Sequence, residues 1–267
     1  MSKKLILLIL GLVGCLCIGC AVNPITGEQQ FMLYSEQNDI HIGRKVAPEI
    51  EKQLGGRIAD EGLQNYIDSV GQRIARVSHK PHWEYHFVAV EHKTVNALAL
   101  PGGYIFVTKG ILKELQTEAQ LAALLSHELV HSVARHSSAA MSRATAINLL
   151  LQAVLSKTTS QGALIAADLA RLILDLQYSR EHEREADLAG LDYMVAAGYN
   201  PNGAVELQQT LQEQSKIRPI EFLSTHPSPE NRLIYLKARV QTRYASTQAL
   251  RTGKEDYHSN VLQRLSD

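Results

Sequence analysis

Two histidines four residues apart, His127 and His131, constrain this chain more than any other feature of its sequence. Four residues are close to one helical turn, so on a helix both imidazole rings lie on one face and can reach the same metal ion. Glu128 follows the first histidine directly. This H-E-x-x-H pattern is typical of zinc peptidases, in which the glutamate takes a proton from water beside the metal. The pattern is short enough to occur by chance, so the rest of the chain has to supply the missing parts of such a site.

The residues around the motif predict a helix that is buried on one side. Thr117, with Gln120 three residues later, has the pattern of a capping box, which places the start of the helix at Thr117. Apolar residues recur at helical spacing, at Leu121, Leu124, Leu125 and Val133. His136 lies five residues after His131, about half a turn off the ligand face. We interpret it as a structural residue or as a support for the ligands from behind.

Zinc in a hydrolytic site takes three protein ligands, so the motif is one ligand short. The charged segment 179–187 predicts the start of another helix, on which Glu183 and Asp187 share one face. If that face meets the motif helix, Glu183 completes the site and Asp187 holds a ligating histidine by its other ring nitrogen. Spacing alone leaves Glu181 and Glu185 as competitors. The non-functional alternative is a solvated helix start that is rich in acids.

Residues 85–108 predict a small antiparallel sheet. Residues 85–90 and 94–100 are predicted strands, and a turn at 101–103 leads into a third strand, 104–108. A free edge of such a sheet can take an extended peptide as an additional strand through main-chain hydrogen bonds, whereas the alternative is a plain core hairpin. Four nearby histidines lack the spacing of metal ligands and are interpreted as ordinary surface or core residues: His79, His82, His86 and His92.

The N-terminus differs in composition from the rest of the chain. Lys3 and Lys4 precede an apolar run that begins at Leu5, which is the pattern of a signal peptide. All three cysteines lie at its end, at positions 15, 17 and 20, and a small residue followed by cysteine resembles a bacterial lipoprotein signal. We expect Cys20 to be the lipid anchor, because cleavage there leaves no spare thiol. Cys15 is the alternative anchor, and an uncleaved signal anchor is a further alternative.

Composition limits the remaining function classes. Of the 267 residues, 45% are hydrophobic and 20% are charged, an ordinary balance for one globular domain. The formal net charge of +0 gives no indication of a nucleic-acid partner. We divide the chain into a lipoprotein signal peptide (1–19), a tether (20–34), a zinc metallopeptidase domain (35–240) and a polar, loose C-terminal tail (241–267).

Four motifs occur in an order that resembles the zinc metallopeptidase family of the CAAX prenyl protease and HtpX. They are Asn96-Ala97 followed by Pro101-Gly102-Gly103, His127 to His131, Glu183-x-x-Ala186-Asp187-x-x-Gly190, and His226-Pro227 before Arg232. The resemblance covers roughly residues 35–240. It implies that Glu183 is the third ligand, that Asp187 belongs to the active site, and that Asn96 and Ala97 lie on the substrate-facing edge strand.

The chain departs from those two relatives in one respect. They are multi-span membrane proteins, whereas this sequence predicts no span beyond its signal. It therefore resembles the secreted, lipid-anchored branch of the family. Some members of that branch carry helical repeats after the protease domain, but only 27 residues follow Val240 here, too few for a repeat array.

His226 stands in a stiff loop between Thr225 and Pro227. Three interpretations stay open at this point. The imidazole can donate to the oxyanion of a tetrahedral intermediate, or it can bind zinc as a fourth ligand and keep the enzyme latent. In the third interpretation the loop only caps a helix.

The sequence thus predicts an α+β, mostly α-helical fold, a gluzincin-type domain with a small antiparallel sheet beside the active-site helix. His127, His131 and Glu183 would bind one Zn²⁺, Glu128 would take the proton from water, and Asp187 would support catalysis.

Backbone-directed binding along Asn96 and Ala97 favours unfolded or extended polypeptides, which we expect to be misassembled cell-envelope proteins. The anchor at Cys20, followed by Ala21 rather than aspartate, favours the periplasmic face of the outer membrane. An envelope chaperone that holds extended clients in a latent protease cleft is the alternative function. A third candidate is a membrane assembly factor that docks a partner through the apolar patch Ile147–Leu155.

Overall fold

The computed structural model describes residues 20–155, 166–228, 231–247 and 249–266. The predicted signal peptide and the alternative anchor Cys15 lie outside these ranges. Within them the chain is mostly helical with two small sheets, which confirms the expected fold class. None of the helices in these ranges is long and apolar enough to cross a membrane.

The elements follow one another along the chain as β1 (Cys20–Val22), β2 (Gln29–Phe31), α1 (Glu36–Gln53), α2 (Glu61–Ala75), β3 (His86–Val90), β4 (Ala97–Ala99), β5 (Tyr104–Thr108), α3 (Lys109–Leu112), α4 (Glu118–Val133), α5 (His136–Leu155), α6 (Ala166–Leu174), α7 (Arg180–Ala196), α8 (Asn202–Ile217), α9 (Glu221–Thr225), α10 (Arg232–Arg243), a 3₁₀ turn (Ala245–Thr247), α11 (Lys254–Tyr257), a π-helical turn (His258–Leu262) and α12 (Gln263–Ser266).

The motif helix α4 begins where its sequence predicts. Thr117 accepts a hydrogen bond from the backbone of Gln120, whose side chain in turn accepts from the backbone of Thr117, so the capping box is present. All residues of α4 are buried, on every side and not on one side as its apolar pattern suggested. The helix runs through the centre of the molecule, with α2, α7, α8 and β4 packed around it.

Helix α7 approaches the motif helix closely at Gly190. A Cβ atom there would lie 3.1 Å from the backbone nitrogen of His127, tighter than ordinary side-chain packing allows. Glycine at this position therefore lets the two helix backbones come together beside the metal-ligand motif. The close approach is what brings Asp187 and Glu183, about one and two turns earlier on α7, next to the two motif histidines.

The sheet beside the motif helix is mixed, which corrects the expectation that it is antiparallel. Its strand order is β3-β5-β4, in which β4 and β5 pair antiparallel but β3 and β5 pair parallel. Alternating side chains predict strands, but they do not fix which strand neighbours which. The order leaves β4 at one edge, as the expected substrate strand requires.

Both ends of the described chain pack onto the domain. Strands β1 and β2 form an antiparallel hairpin. Met32, directly after β2, is buried, and the side chain of Gln30 donates to the carbonyl of Ala134. Segment 20–34, the predicted tether, thus contacts the domain through Gln30 and Met32. The C-terminal tail is not loose either, since Tyr257, Val261 and Leu265 join the hydrophobic core. These three residues are four positions apart, but the residues between them are mostly polar, so the overall composition of the segment does not indicate a buried helical face.

Candidate metal centre

Four buried side chains meet at the centre of the molecule. His127 and His131 come from α4, Glu183 from the first turn of α7, and His226 from the residue after α9. One donor atom from each lies within 4.8 Å of all the others, and the four residues are at most 4% exposed. The structure therefore brings together three side chains that the sequence selected as ligands and the histidine whose role it left open.

The spacing of these donor atoms fits a tetrahedral metal ion. Nε2 of His127 lies 3.1 Å from Nε2 of His131 and 3.4 Å from Oε2 of Glu183, and His131 Nε2 lies 3.3 Å from Oε1 of Glu183. Zinc bonds of about 2.0–2.1 Å set tetrahedral ligand atoms about 3.4 Å apart. Nitrogen and carboxylate oxygen are also the donors that zinc takes from histidine and glutamate. The residues present therefore fit the metal that the motif implies.

The electrostatics of the cluster favour a cation. Burial by itself lowers the pKa of His127, but the carboxylates of Glu183 and Asp187 outweigh it and raise that pKa to about 9. Burial would raise the pKa of Glu183, yet His226 and His127 hold it well below the usual range. Negative charge thus persists in a dry site, where it attracts positive charge strongly.

Asp187 lies behind His127, away from the donor cluster. Its Oδ1 atom is 3.1 Å from Nδ1 of that ring, the contact that usually fixes the orientation of a ligating histidine. Arg232 donates to the same oxygen of Asp187 at 2.5 Å and to Oε2 of Glu183 at 3.2 Å, and Tyr235 donates to the other oxygen of Asp187. Although burial raises the pKa of Asp187, the guanidinium of Arg232 and the contact with His127 lower it overall.

Glu128 is fully buried, and neither of its carboxylate oxygens has a hydrogen-bond partner among the described residues. Buried carboxylates without partners are rare, and this one has its pKa raised by desolvation. Nε2 of His226 lies 3.7 Å from the Oε1 atom of Glu128. A carboxyl group in this state is suited to accept a proton from a reacting group beside the metal ligands.

His226 projects its ring into the donor cluster. Its Nδ1 atom lies 2.9 Å from Oε1 of Glu183 and 3.4 Å from Nε2 of His127, while its ring stacks on Phe222 with the centroids 4.3 Å apart. A loop that only capped a helix would not bury this ring among three candidate metal-ligand residues. The geometry therefore argues against the helix-capping interpretation. The two functional interpretations, a fourth metal ligand and an oxyanion donor, remain open.

The edge strand β4 borders the site. Asn96, which precedes the strand, is 3% exposed, and within the described ranges its Oδ1 atom has no hydrogen-bond partner. Asn96, Leu98 and His226 line a narrow cavity of about 20 Å³ that is closed on its other side by residues 173–178. Residues 173–178 thus lie beside the strand that the sequence predicts to bind substrate.

Sequence reasoning missed three residues beside the ligands. Tyr178 stacks on the ring of His131 with centroids 3.8 Å apart, and no pattern in the sequence indicated it. Arg232 belonged to the motif that follows His226, but its bonds to Glu183 and Asp187 were not foreseen. Tyr235, one helical turn after Arg232, belonged to no motif. The spacing of three residues between Arg232 and Tyr235 was the available signal that both point to one place.

The two acids that competed with Glu183 lie elsewhere. Glu181 is exposed at the start of α7, and Glu185 faces away from the donor cluster towards His136 and Asn23. Cys20, the predicted anchor, is exposed in β1. None of these three residues belongs to the group of metal-ligand atoms.

Comparison with known proteins places this geometry in a family. The model of peptidase family M48 matches residues 61–240. The chain is similar to the mitochondrial metalloendopeptidase OMA1 of Schizosaccharomyces pombe, with 29% identity over 245 residues, 88% of this chain and 69% of that protein. OMA1 of Arabidopsis thaliana is 32% identical over 206 residues, 74% of this chain and 41% of that protein.

A bacterial relative is similar over a shorter part. The beta-barrel assembly-enhancing protease of Escherichia coli (strain K12) is 28% identical over 196 residues, 68% of this chain and 40% of that protein. The chain thus spans less than half the length of this relative. The match to the family model covers most of this chain and includes every donor residue of the cluster. The chain therefore belongs to peptidase family M48 and is a metallopeptidase that acts on polypeptides.

Proposed function

We propose that this protein is a zinc metalloendopeptidase that hydrolyses unfolded or misassembled proteins of the bacterial cell envelope. The observation that carries the proposal is the buried cluster of four donor atoms beside a partnerless glutamate, Glu128. His127, His131 and Glu183 would hold the metal. When bound there, zinc supplies the Lewis acidity that polarises a peptide carbonyl and makes water acidic at neutral pH.

The chain's own residues supply proton transfer and positioning. Glu128 takes a proton from the attacking water, because its carboxylate is buried beside the ligands and satisfied by no other group. It then delivers the proton to the nitrogen of the departing amine. Asp187 keeps the ring of His127 in the orientation that directs Nε2 at the metal. Arg232 donates to both Asp187 and Glu183 and so fixes the positions of the two carboxylates relative to each other.

The substrate would bind as an additional strand along β4. In the pairing of β4 with β5, the carbonyl of Asn96 accepts from Thr108 and the amide of Leu100 donates to Tyr104. Alternation then directs the main-chain groups of Ala97 and Ala99 away from β5. Substrate pairing there would displace the hydroxyl of Ser137, which donates to the carbonyl of Ala99 at 3.3 Å. Main-chain pairing there, with Oδ1 of Asn96 as a further acceptor, selects extended polypeptide and leaves side-chain preference broad.

His226 is assigned the role of a fourth donor in this closed arrangement. Its Nδ1 atom is closer to Glu183 than any other nitrogen of the cluster, and residues 173–178 close the cleft beside it. Substrate entry requires both to move away. Once displaced from the donor cluster, the same ring is placed to donate to the oxyanion, so the two interpretations describe two states of one residue.

The envelope location rests on the N-terminal sequence and on the hairpin that follows it. Cys20 and Phe31 face each other across the hairpin, and the outward side chains Val22, Phe31 and Leu33 are 55%, 38% and 46% exposed. An apolar face next to a lipid-modified cysteine would rest on the membrane surface. Radiolabelled palmitate should be incorporated into wild type and a Cys15→Ser variant but not into Cys20→Ser. Labelling of Cys20→Ser would show that the lipid is attached to another residue.

Substrate class is tested by comparing the folded and the unfolded form of one protein. Purified full-length protein, loaded with zinc, should cleave reduced and carboxymethylated α-lactalbumin but not the native form. Removal of zinc with 1,10-phenanthroline should abolish cleavage, and added zinc should restore it. The same assay on His226→Ala separates a closed site from an inactive one. If neither protein cleaves the unfolded substrate while both hold zinc, the proposed function is wrong.

A further inference from the structure

His136 is a fully buried histidine next to a metal-ligand residue, and the proposed chemistry does not use it. Its Nδ1 atom lies 3.0 Å from Nδ1 of His131, and its Nε2 atom lies 3.5 Å from Oε2 of Glu185. The other oxygen of Glu185 accepts a hydrogen bond from the side chain of Asn23 at 2.8 Å. A continuous series of polar side chains thus leads from the N-terminal hairpin to the back of His131.

A break in the helix puts His136 there. On a straight helix a residue five positions after His131 would point about 140° away from it. Helix α4 instead ends at Val133, and Arg135 adopts a left-handed conformation with φ of 61°. The chain turns there, and His136, the first residue of α5, returns to the ring of His131. This turn corrects the expectation that His136 lies half a turn off the ligand face.

The contacts define the hydrogen positions on both rings. Nε2 of His131 faces His127 and Glu183 in the donor cluster, so it must be free of hydrogen to bind a metal. The ring hydrogen of His131 then resides on Nδ1, which faces Nδ1 of His136 at 3.0 Å. His136 must accept that hydrogen bond, which leaves its own hydrogen on Nε2, an atom that lies 3.5 Å from Oε2 of Glu185 without the alignment of a hydrogen bond.

The two motif histidines are thus held by different groups. Nδ1 of His127 faces the carboxylate of Asp187 at 3.1 Å, whereas Nδ1 of His131 faces an imidazole. A metal-ligating histidine usually donates to a carboxylate, a carbonyl or water, and that partner sets the ring's tautomer and affects its affinity for the metal. An imidazole acceptor is neutral when it accepts, so it sets the tautomer without adding a negative charge.

We propose that His136 is a positioning residue that accepts the Nδ1 hydrogen of His131 and thereby fixes the tautomer and orientation in which His131 binds the metal. The carboxylate of Glu185 lies on the Nε2 side of His136, and Asn23 donates a hydrogen bond to Glu185. The proposal rests on the proposed function only in requiring that His131 is a metal ligand.

His182 provides a matched control within the same packing. Its ring stacks on the ring of His136 with centroids 4.0 Å apart and an angle of 7° between the planes. Among the described residues, His182 has no contact with His131 or with the donor cluster. His182→Phe and His136→Phe therefore both replace one imidazole of the same stack with an apolar ring, but only the second removes the acceptor behind His131.

The test measures zinc affinity of the full-length protein by competition with a chromophoric chelator. His136→Phe should weaken zinc binding by about 10–100-fold, the usual effect of removing such a partner, whereas His182→Phe should bind zinc as wild type does. His136→Asn should restore most of the affinity, because its amide oxygen can accept from Nδ1 of His131. The absorption spectrum of the cobalt-substituted protein should change in His136→Phe and not in His182→Phe.

Nitrogen NMR of the zinc-loaded wild type tests the same proposal without any substitution. The spectrum should show hydrogen on Nδ1 of His131, and Nδ1 of His136 without hydrogen. Hydrogen on Nδ1 of His136 would overturn the proposal, as would unchanged zinc affinity in His136→Phe. A protein that binds zinc with these tautomers but cleaves nothing would refute the proposed function and leave the role of His136 standing.

Discussion

Glu118 is a buried carboxylate at the first residue of the motif helix, and its partners explain how the helix start is held. Arg251 donates to both of its oxygens, at 2.9 and 2.8 Å, and the hydroxyls of Tyr66 and Tyr199 donate to it at 2.7 and 2.9 Å. Burial raises the pKa of Glu118, but these donors outweigh it and lower the pKa overall. The carboxylate therefore stabilises the fold only while it is ionised.

Stability should depend on pH through this residue. Because the pKa of Glu118 is lower in the folded than in the unfolded protein, its contribution is present above about pH 4–5 and is lost as the pH falls further. Urea unfolding between pH 7 and pH 3 should show wild type more stable than Glu118→Gln at pH 7, with the difference shrinking on acidification. Glu213→Gln, at an exposed position, controls for the loss of one charge. A difference that grows as the pH falls would contradict this role.

At the scale of secondary-structure elements, an ion pair stabilises the junction between helices α4 and α5. Arg135, in its left-handed conformation, donates to Oδ2 of Asp39 at 2.5 Å and to the carbonyl of Tyr34 at 2.6 Å, and both charged groups are buried. The other oxygen of Asp39 accepts from Ser138 in α5. Helix α1 thereby fixes the turn that directs His136 at His131.

Removing Arg135 without Asp39 should lower the free energy of unfolding. Arg135→Met leaves Asp39 buried without a counter-charge, and breaking a buried pair in this way costs about 3–5 kcal/mol of unfolding free energy. The double variant Arg135→Met, Asp39→Leu should lose less than the sum of the two single variants, because no unpaired charge remains. Denaturant unfolding of the four proteins measures the coupling. Additive losses would show that the pair does not act as a unit.

At the scale of the whole molecule, the C-terminal segment closes the domain around the start of the motif helix. The carbonyls of Gly253 and Thr252 accept from the backbone amides of Glu118 and Ala119 at 3.2 and 3.0 Å. These amides belong to the first turn of a helix, where no partner exists within the helix itself. Tyr257 is fully buried and donates to the carbonyl of Leu112 at 2.7 Å.

The segment should therefore be part of the folding unit. Tyr257→Ala removes a buried aromatic ring and should cost about 3–5 kcal/mol, while Tyr257→Phe should cost only the hydrogen bond, about 1 kcal/mol. Thermal unfolding followed by circular dichroism distinguishes the two. Equal melting temperatures for wild type and Tyr257→Ala would mean that the segment is dispensable for the fold.

Local spacing explains which parts of the site were predictable from the sequence. His127 and His131, and Glu183 and Asp187, are pairs four residues apart on single helices, so helical geometry places each pair on one face. The capping box at Thr117 was predictable for the same reason. The choice of Glu183 over Glu181 and Glu185 depends on how α7 docks on α4 at Gly190, which spacing on one helix does not determine.

Features that depend on long-range contacts were not predictable. The parallel pairing of β3 with β5 depends on strand order, and the return of His136 depends on a left-handed Arg135 that an ion pair with Asp39 holds. The burial of Tyr257 depends on a contact with Leu112, 145 residues away. In each case the deciding partner is remote in sequence, so a local pattern contains no signal for it.

The most direct test compares wild type with Glu128→Gln for cleavage of an unfolded protein and for bound zinc, each also in the His226→Ala background. Loss of the proton acceptor should reduce the cleavage rate by about 10²–10⁴-fold, while zinc stays at one ion per chain in all four proteins. That result would establish zinc-dependent hydrolysis through Glu128. Cleavage that persists in Glu128→Gln, or its absence from both parent proteins when they hold zinc, would contradict it.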